Sequence, residues 1–182
     1  MEMRERRETD REDRDCLRRL AAGHADALEL LHDRHAPAAF RLALWTTRCR
    51  EDAEDAVQSA FVRLASLGAE LLRIRRPGVY LLAIVRNEAV RAARRRTREG
   101  ARRVEADDLL APEADPAREA ERHTWAGRLD SLSDVQREVV LLHLFEGLSF
   151  REIGKVTGVA TFTAASRYRL AIGRLRRGAE ER

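Results

Sequence analysis

The side chains that could do chemistry in this chain are arginines at helical spacing, a few hydroxyls, one tyrosine and one cluster of acids. In the stretch from Leu148 to Arg177, one side of a helical pattern carries Thr163, Ser166, Arg167, Leu170, Arg174 and Arg177, with Arg169 at its edge, and no acid interrupts the run from Ala160 to Gly178. Forked guanidiniums and short hydroxyls suit the base edges and phosphates of duplex DNA. A second stripe, Tyr80, Asn87, Arg91, Arg94 and Arg98, places an aromatic, an amide and then arginines down one helix face. Single-stranded nucleic acid asks for that set, because rings stack on exposed bases while guanidiniums track phosphates. A solvated helix tail has the same composition, and the stripe alone does not decide between the two. A third group, Glu51, Asp52, Glu54 and Asp55, crowds the first turn of a helix, where negative charge meets the positive end of the helix dipole. One or two acids would satisfy that dipole. Four, followed by Gln58 on the exposed side, point to a partner surface.

Other chemistries have little to work with. Cys16 and Cys49 stand far apart with no paired spacing, so neither a zinc site nor a disulfide framework is indicated. His32 and His35 sit three apart on a helix, but without a third ligand nearby they read as surface histidines and no metal is assigned. The acids at Glu51–Asp55 have no convergent His or Cys partner, which argues against a metal-dependent enzyme. The start of the chain, MEMRERRETDREDRD, is too polar for a signal peptide, and no apolar run approaches the roughly 20 residues of a membrane span. The expectation is a cytoplasmic, non-enzymatic protein without a cofactor or membrane insertion. Its 182 residues are 44% hydrophobic and 36% charged with a net charge of +4, and Lys155 is the only lysine. That composition suits a helical protein with highly charged surfaces and one or two modest cores.

The elements that must position these groups are all helices. Residues 1–15 are of mixed charge and read as a disordered tail. A short helix with Leu17, Leu20 and Ala21 stops at Gly23, a second begins near Ala25, and Pro37 is placed as the first residue of a third. The helix over roughly Glu51–Leu67 has an uninterrupted stripe of Ala53, Ala56, Val57, Ala60, Phe61, Leu64 and Leu67. Gly68–Pro77 reads as a loop, and a basic helix follows from Pro77 to about Arg98. Periodicity disappears from Gly100 to Pro116, where breakers and acids mark a flexible linker over 99–116. Ser133 with Gln136 and Ser149 with Glu152 are capping boxes. Gly158 supplies the left-handed turn before a longer helix with Ala164, Tyr168, Ile172 and Leu175 inward. A short helix, a glycine turn and a basic helix are a helix-turn-helix, whose second helix enters the major groove. The fold expected is all-α: a helical domain over 16–98 and a helix-turn-helix domain over 117–178.

With both halves in view, the chain resembles the bacterial RNA polymerase sigma factors of the extracytoplasmic-function class. The resemblance is carried by REDAEDAVQSAFVRLA (Arg50–Ala65), VYLLAIVRNEAVRAARRR (Val79–Arg96) and LSDVQREVVLLHLFEGLSFREIGKVTGV (Leu132–Val159), in that order, with ASRYRLAIGRLR similar to one branch of the class. It implies that the acidic helix, through Asp52, Glu54, Asp55 and Gln58, docks on core RNA polymerase. It implies that the loop Ala69–Arg76 and the residues Tyr80, Arg86, Asn87, Arg91 and Arg94 capture the melted minus-ten element of promoter DNA. Thr161, Thr163, Ser166, Arg167, Arg169 and Arg174 would read the duplex minus-thirty-five element, and the class leaves room for an anti-sigma factor as a further partner. A tryptophan is usual where Tyr80 stands, a basic residue at Ala165, and a polar or basic one at Leu170. Phe162 could contact a thymine methyl or simply pack. The alternative is a dimeric helix-turn-helix regulator of an operator, which explains the last fifty residues but leaves the acidic and basic helices of the first half unexplained.

Overall fold

The computed structural model describes the backbone of residues 2–98 and 125–180 and the side chains of 6–98 and 125–177. The linker expected over Gly100–Pro116 lies outside the described residues. Their regular secondary structure is all helical, with no strand among the described residues. In the first half α1 (Glu2–Ala21), α2 (Asp26–Thr47), α3 (Arg50–Ala65) and α4 (Pro77–Arg98) pack together, with a 3₁₀ turn at Gly68–Arg73 between α3 and α4. The stripe of α3 is buried as its spacing predicts: Ala53, Ala56, Val57, Ala60, Phe61 and Leu64 meet Leu31, Ala39 and Ala43 of α2 and Leu81, Ile84, Val85 and Ala89 of α4 in one cluster.

Three local expectations are overturned by tertiary contacts. The disordered tail over 1–15 is instead the larger part of α1. Its Asp13 is 1% exposed, ion-paired to Arg34 and bonded to His35 Nε2 at 2.7 Å, so a run of charges that reads as solvated is held by partners about twenty residues away. Pro37 does not begin a helix but lies inside α2. Burial of Leu31 before it and of Ala39 and Leu42 after it keeps the helix continuous across one missing amide. The Gly68–Pro77 loop is largely a 3₁₀ turn, anchored by buried Leu71.

In the second half a helical segment, α5 over 125–130, precedes α6 (Asp134–Val140). A π-helical turn at Leu141–Phe145 continues α6, and α7 (Phe150–Thr157) and α8 (Thr161–Glu180) complete the chain. The two halves pack directly on one another. Leu42, Val79 and Leu82 of the first share a cluster with Val139, Leu142, Leu148, Ile153, Val156 and Ala164 of the second. Trp45, buried in α2, lies 4.7 Å from the guanidinium of Arg48 and 5.8 Å from that of Arg137. Arg137 in turn donates to the carbonyls of Leu129 (2.9 Å) and Leu132 (2.8 Å), fixing the turn that enters α6. Among the described residues five ion pairs cross the boundary: Arg6–Glu152 (3.0 Å), Arg41–Glu146 (2.8 Å), Arg86–Glu138 (2.8 Å), Arg48–Asp130 and Arg76–Glu152. In all five the cation belongs to the first half and the acid to the second.

Candidate nucleic-acid interface

The turn pair α7–α8 is built as its sequence prescribes. Ser149 N–H donates to Glu152 Oε2 at 2.9 Å and Ser149 Oγ to the same oxygen at 2.7 Å, while Glu152 N–H returns a bond to Ser149 Oγ at 3.4 Å. Gly158 sits at φ +74°, ending α7 with its amide bonded to the Gly154 carbonyl. Gly154 is required by a close approach: a Cβ there would stand 2.7 Å from the carbonyl oxygen of Val159. At about 100° per residue, Ala164, Tyr168, Ala171 and Leu175 form the inward side of α8, and Ala164 and Ala171 are fully buried.

The side of α8 turned furthest outward carries Phe162, Ser166, Arg169, Leu170 and Gly173. Arg169 is exposed and Ser166 half-buried on it, while Thr161, Thr163, Arg167 and Arg174 flank it, Thr161 and Arg174 exposed and the other two half-buried. The six residues singled out from sequence are therefore together on one helix. The middle of their surface also belongs to Phe162, 75% exposed, and Leu170, 62% exposed. An apolar residue at a position where a basic or polar one is usual was the signal for Leu170.

On α4 the expected stripe forms. Asn87, Arg91, Arg94 and Arg98 are exposed along the line that starts at half-buried Tyr80. Tyr80 lines an open cleft of about 430 Å³ together with Glu70, Arg73, Arg75, Arg76 and Val79, and with Lys155 of α7. A flat aromatic wall among guanidiniums can hold a planar base and its phosphate. Arg86 is not part of this surface. It points to the second half, where its Nε donates to Glu138 Oε1 at 2.8 Å.

The acids of α3 also divide. Asp52 is 13% exposed and ion-paired to Arg96 at 3.2 Å and Arg95 at 3.7 Å, tying the start of α3 to the end of α4. Glu54 pairs with Arg50 at 2.9 Å, and Asp55 and Gln58 are exposed. Glu54 and Gln58 border a shallow apolar groove of about 360 Å³ with Leu28, His32, Val57, Phe61 and Val62 on its floor and sides. Sequence reasoning assigned the acids but not this groove, whose signal is Val62, a large apolar residue 63% exposed on the outer side of α3.

Among the described residues no group of three His, Cys, Asp or Glu side chains could hold a metal ion. His35, expected at the surface, is packed under Gly78 and bonded to Asp13, and His32 lies against the ring of Phe61. Both cysteines are buried, and burial pushes both thiols above their ordinary range, away from thiolate reactivity.

Comparison with known proteins joins these surfaces. Residues 31–99 match the family model for Sigma-70 region 2, and residues 126–175 match that for Sigma-70, region 4. Among solved structures, CnrH in complex with the cytosolic domain of CnrY aligns with a TM-score of 0.67 at 23% identity, over 93% of this chain and 98% of that one. The sigma factor RpoE in complex with the anti-sigma factor NepR from Bartonella quintana aligns at 0.66 and 24% identity, over 82% and 94%. At these identities the likeness establishes the fold. A search of curated proteins gave no match.

Proposed function

This chain belongs to the sigma-70 family, in the two-region form of the extracytoplasmic-function class, and from that premise we propose how its surfaces divide the work. As a sigma factor it binds core RNA polymerase and directs it to promoters for transcription initiation. The first half, to Arg98, docks on polymerase and holds the opened minus-ten element, and the second half reads the minus-thirty-five element through α8. The observation that carries this division is the Tyr80 cleft, an aromatic and arginine-lined recess about 430 Å³ in volume at the head of an otherwise exposed Asn87–Arg91–Arg94 stripe. It suits an unpaired base, whereas α8 presents a convex basic face that suits a duplex groove.

Polymerase docking falls to Asp55, Glu54 and Gln58 beside the apolar groove of α2 and α3. Asp52 supports that surface by anchoring it to α4. Arg86 and Arg76 reach DNA only once they leave Glu138 and Glu152, so the closed packing of the halves belongs to the free chain. The protein acts in the cytoplasm, without enzymatic activity, and a partner of the anti-sigma kind, as found with RpoE, fits its regulation. No helix among the described residues is long and apolar enough to cross a membrane. A dimeric operator-binding regulator would account for α7 and α8 but not for the match over 31–99.

The test uses reconstituted holoenzyme on two templates, a closed duplex promoter and one whose minus-ten region is pre-opened by mismatches. Tyr80→Ala and Asn87→Ala should impair transcription from the closed template by roughly tenfold, since base stacking is worth about 1–3 kcal/mol. Both should be partly rescued by premelting. Arg169→Ala should lose activity on both templates alike, because its contact is to duplex. Equal rescue of all three would refute the division.

A further inference from the structure

We infer that Phe162 is a specificity-determining residue of α8, reading the 5-methyl group of a thymine in the duplex element, with Arg169 holding its ring in place. The inference rests on α8 being the duplex reader and adds to it a residue and the base feature it recognises. Phe162 is the second residue of α8, and at 75% it is the most exposed large apolar side chain among those described. It therefore does not pack against its own fold. The guanidinium of Arg169, almost two turns further along the same side, lies 6.0 Å from the ring centroid, at the outer reach of a cation–π contact. That contact biases the ring to lie along the outward side of the helix, next to Ser166.

Three physical points make the occupant a base and not a protein. First, the N-terminal turn of a recognition helix penetrates deepest into the major groove. Second, the one apolar feature that the groove offers is the thymine methyl, and phenylalanine is among the side chains that contact it. Third, every charge that α8 places around the ring is positive: no acid lies between Ala160 and Gly178, and Arg169, Arg174, Arg176 and Arg177 are all exposed. A polyanion is attracted to that surface. Phe162 and Leu170, the exposed large apolar residues of that side, stand about 12 Å apart along the helix and do not form the contiguous apolar area that protein partners use.

The test exploits a one-methyl change. The preferred minus-thirty-five duplex is first selected from a random library with the holoenzyme, and each thymine in it is then replaced by deoxyuridine, which keeps the pairing and removes only the methyl. For the wild type, one such replacement should weaken binding roughly fourfold, the worth of one buried methyl group. Phe162→Ala should bind thymine and uracil duplexes equally, near the wild-type uracil level, and Phe162→Leu should retain part of the discrimination. Because the ring is exposed and alanine favours helix, a thermal melt of Phe162→Ala should match wild type. The inference is overturned if Phe162→Ala still discriminates as wild type does, if no thymine is methyl-sensitive, or if the substitution weakens assembly with core polymerase instead of DNA binding. Loss of duplex specificity in Arg169→Ala with no methyl effect in Phe162→Ala would refute this inference alone. Indifference of duplex binding to both substitutions would refute the parent reading of α8.

Discussion

Glu152→Gln should loosen the two halves without disturbing the helix that Glu152 caps. Glutamine serves as well as glutamate at the third position of a capping box, so the bonds to Ser149 survive. What disappears is the charge facing Arg6 at 3.0 Å and the guanidinium of Arg76. Arg6 makes a hydrogen bond to that carboxylate, of the charged kind worth about 1.5–3 kcal/mol, and Arg76 adds an ion pair. Arg6 and Arg76 are 32% and 40% exposed around a carboxylate that is only 10% exposed, so solvent screening leaves about 1 kcal/mol for the Arg6 bond and up to about 1 kcal/mol for the Arg76 pair. The variant should therefore lose roughly 1–2 kcal/mol of docking free energy, about a tenfold shift between packed and separated halves.

Spin labels at Ser59→Cys and Arg151→Cys, both exposed positions in a protein whose own cysteines are buried, would read that shift as a broadened distance distribution. The pH dependence supplies a second readout. Burial works to raise the Glu152 carboxyl, but the Ser149 bonds, Arg6 and Arg76 outweigh it and hold the group below the usual glutamate range. A carboxyl depressed in the packed form stabilises that form fully above its ordinary pKa of about 4.3. The contribution is lost as pH falls through the depressed value. Asp10, ion-paired to Arg76 at 2.9 Å, acts with the opposite sign. Burial raises its carboxyl despite Arg76 and Arg6, so its protonation favours the packed form as pH falls. Measured on an Asp10→Asn background, wild-type Glu152 should give an acid-induced opening that Glu152→Gln lacks. Identical distance distributions, salt responses and acid profiles for the two would refute the assignment of docking to this ion-pair network.

Two further outcomes follow from the packing. Gly154→Ala places a methyl 2.7 Å from the Val159 carbonyl oxygen, and since that atom is backbone the turn must shift, at a cost of about 2 kcal/mol or more, visible as a lower thermal midpoint and weakened duplex binding. On α3, Asp55→Arg should reduce capture by core polymerase at least tenfold with an unchanged melt, because exposed Asp55 has no ion-pair partner among the described residues. Asp52→Ala should lower the melting temperature, because Asp52 holds Arg96 and Arg95; the reverse pattern would mean that the two acids have been assigned each other's roles.

What could be read without the structure was whatever local chemistry decides. The Ser149–Glu152 cap, the left-handed Gly158 and the inward stripe of α3 depend on neighbours within a few residues, and all three stand as their spacing implies. The part of α1 over residues 2–15 was illegible because the partners of Asp13 are Arg34 and His35, and those of Asp10 and Arg6 lie further still. No local rule reveals that a charged run is paired. Pro37 shows the converse, a local rule for helix starts overruled by buried neighbours on both sides. Gly154 did carry a signal, since a glycine inside a helix needs a packing reason, but the atom that requires it, Val159 O, comes into range only across the turn.

The residue that sequence and structure place most differently is Arg86, and the cause lies in how the halves recognise one another. An arginine fork presents the same donors to a carboxylate as to a phosphate. All five ion pairs between the halves draw their arginines from the first half and their acids from the second, so the second half occupies cations in the manner of nucleic acid. Arg86 and Arg76 serve Glu138 and Glu152 in the packed form and are not available to a phosphate at the same time. Arg91, Arg94 and Arg98 remain exposed. Salt therefore acts on this protein in two opposed ways. It weakens phosphate contacts through counterion release, and it screens the partly exposed pairs that hold the halves together, freeing Arg86 from Glu138 and Arg76 from Glu152, the latter still paired to Asp10 of its own half.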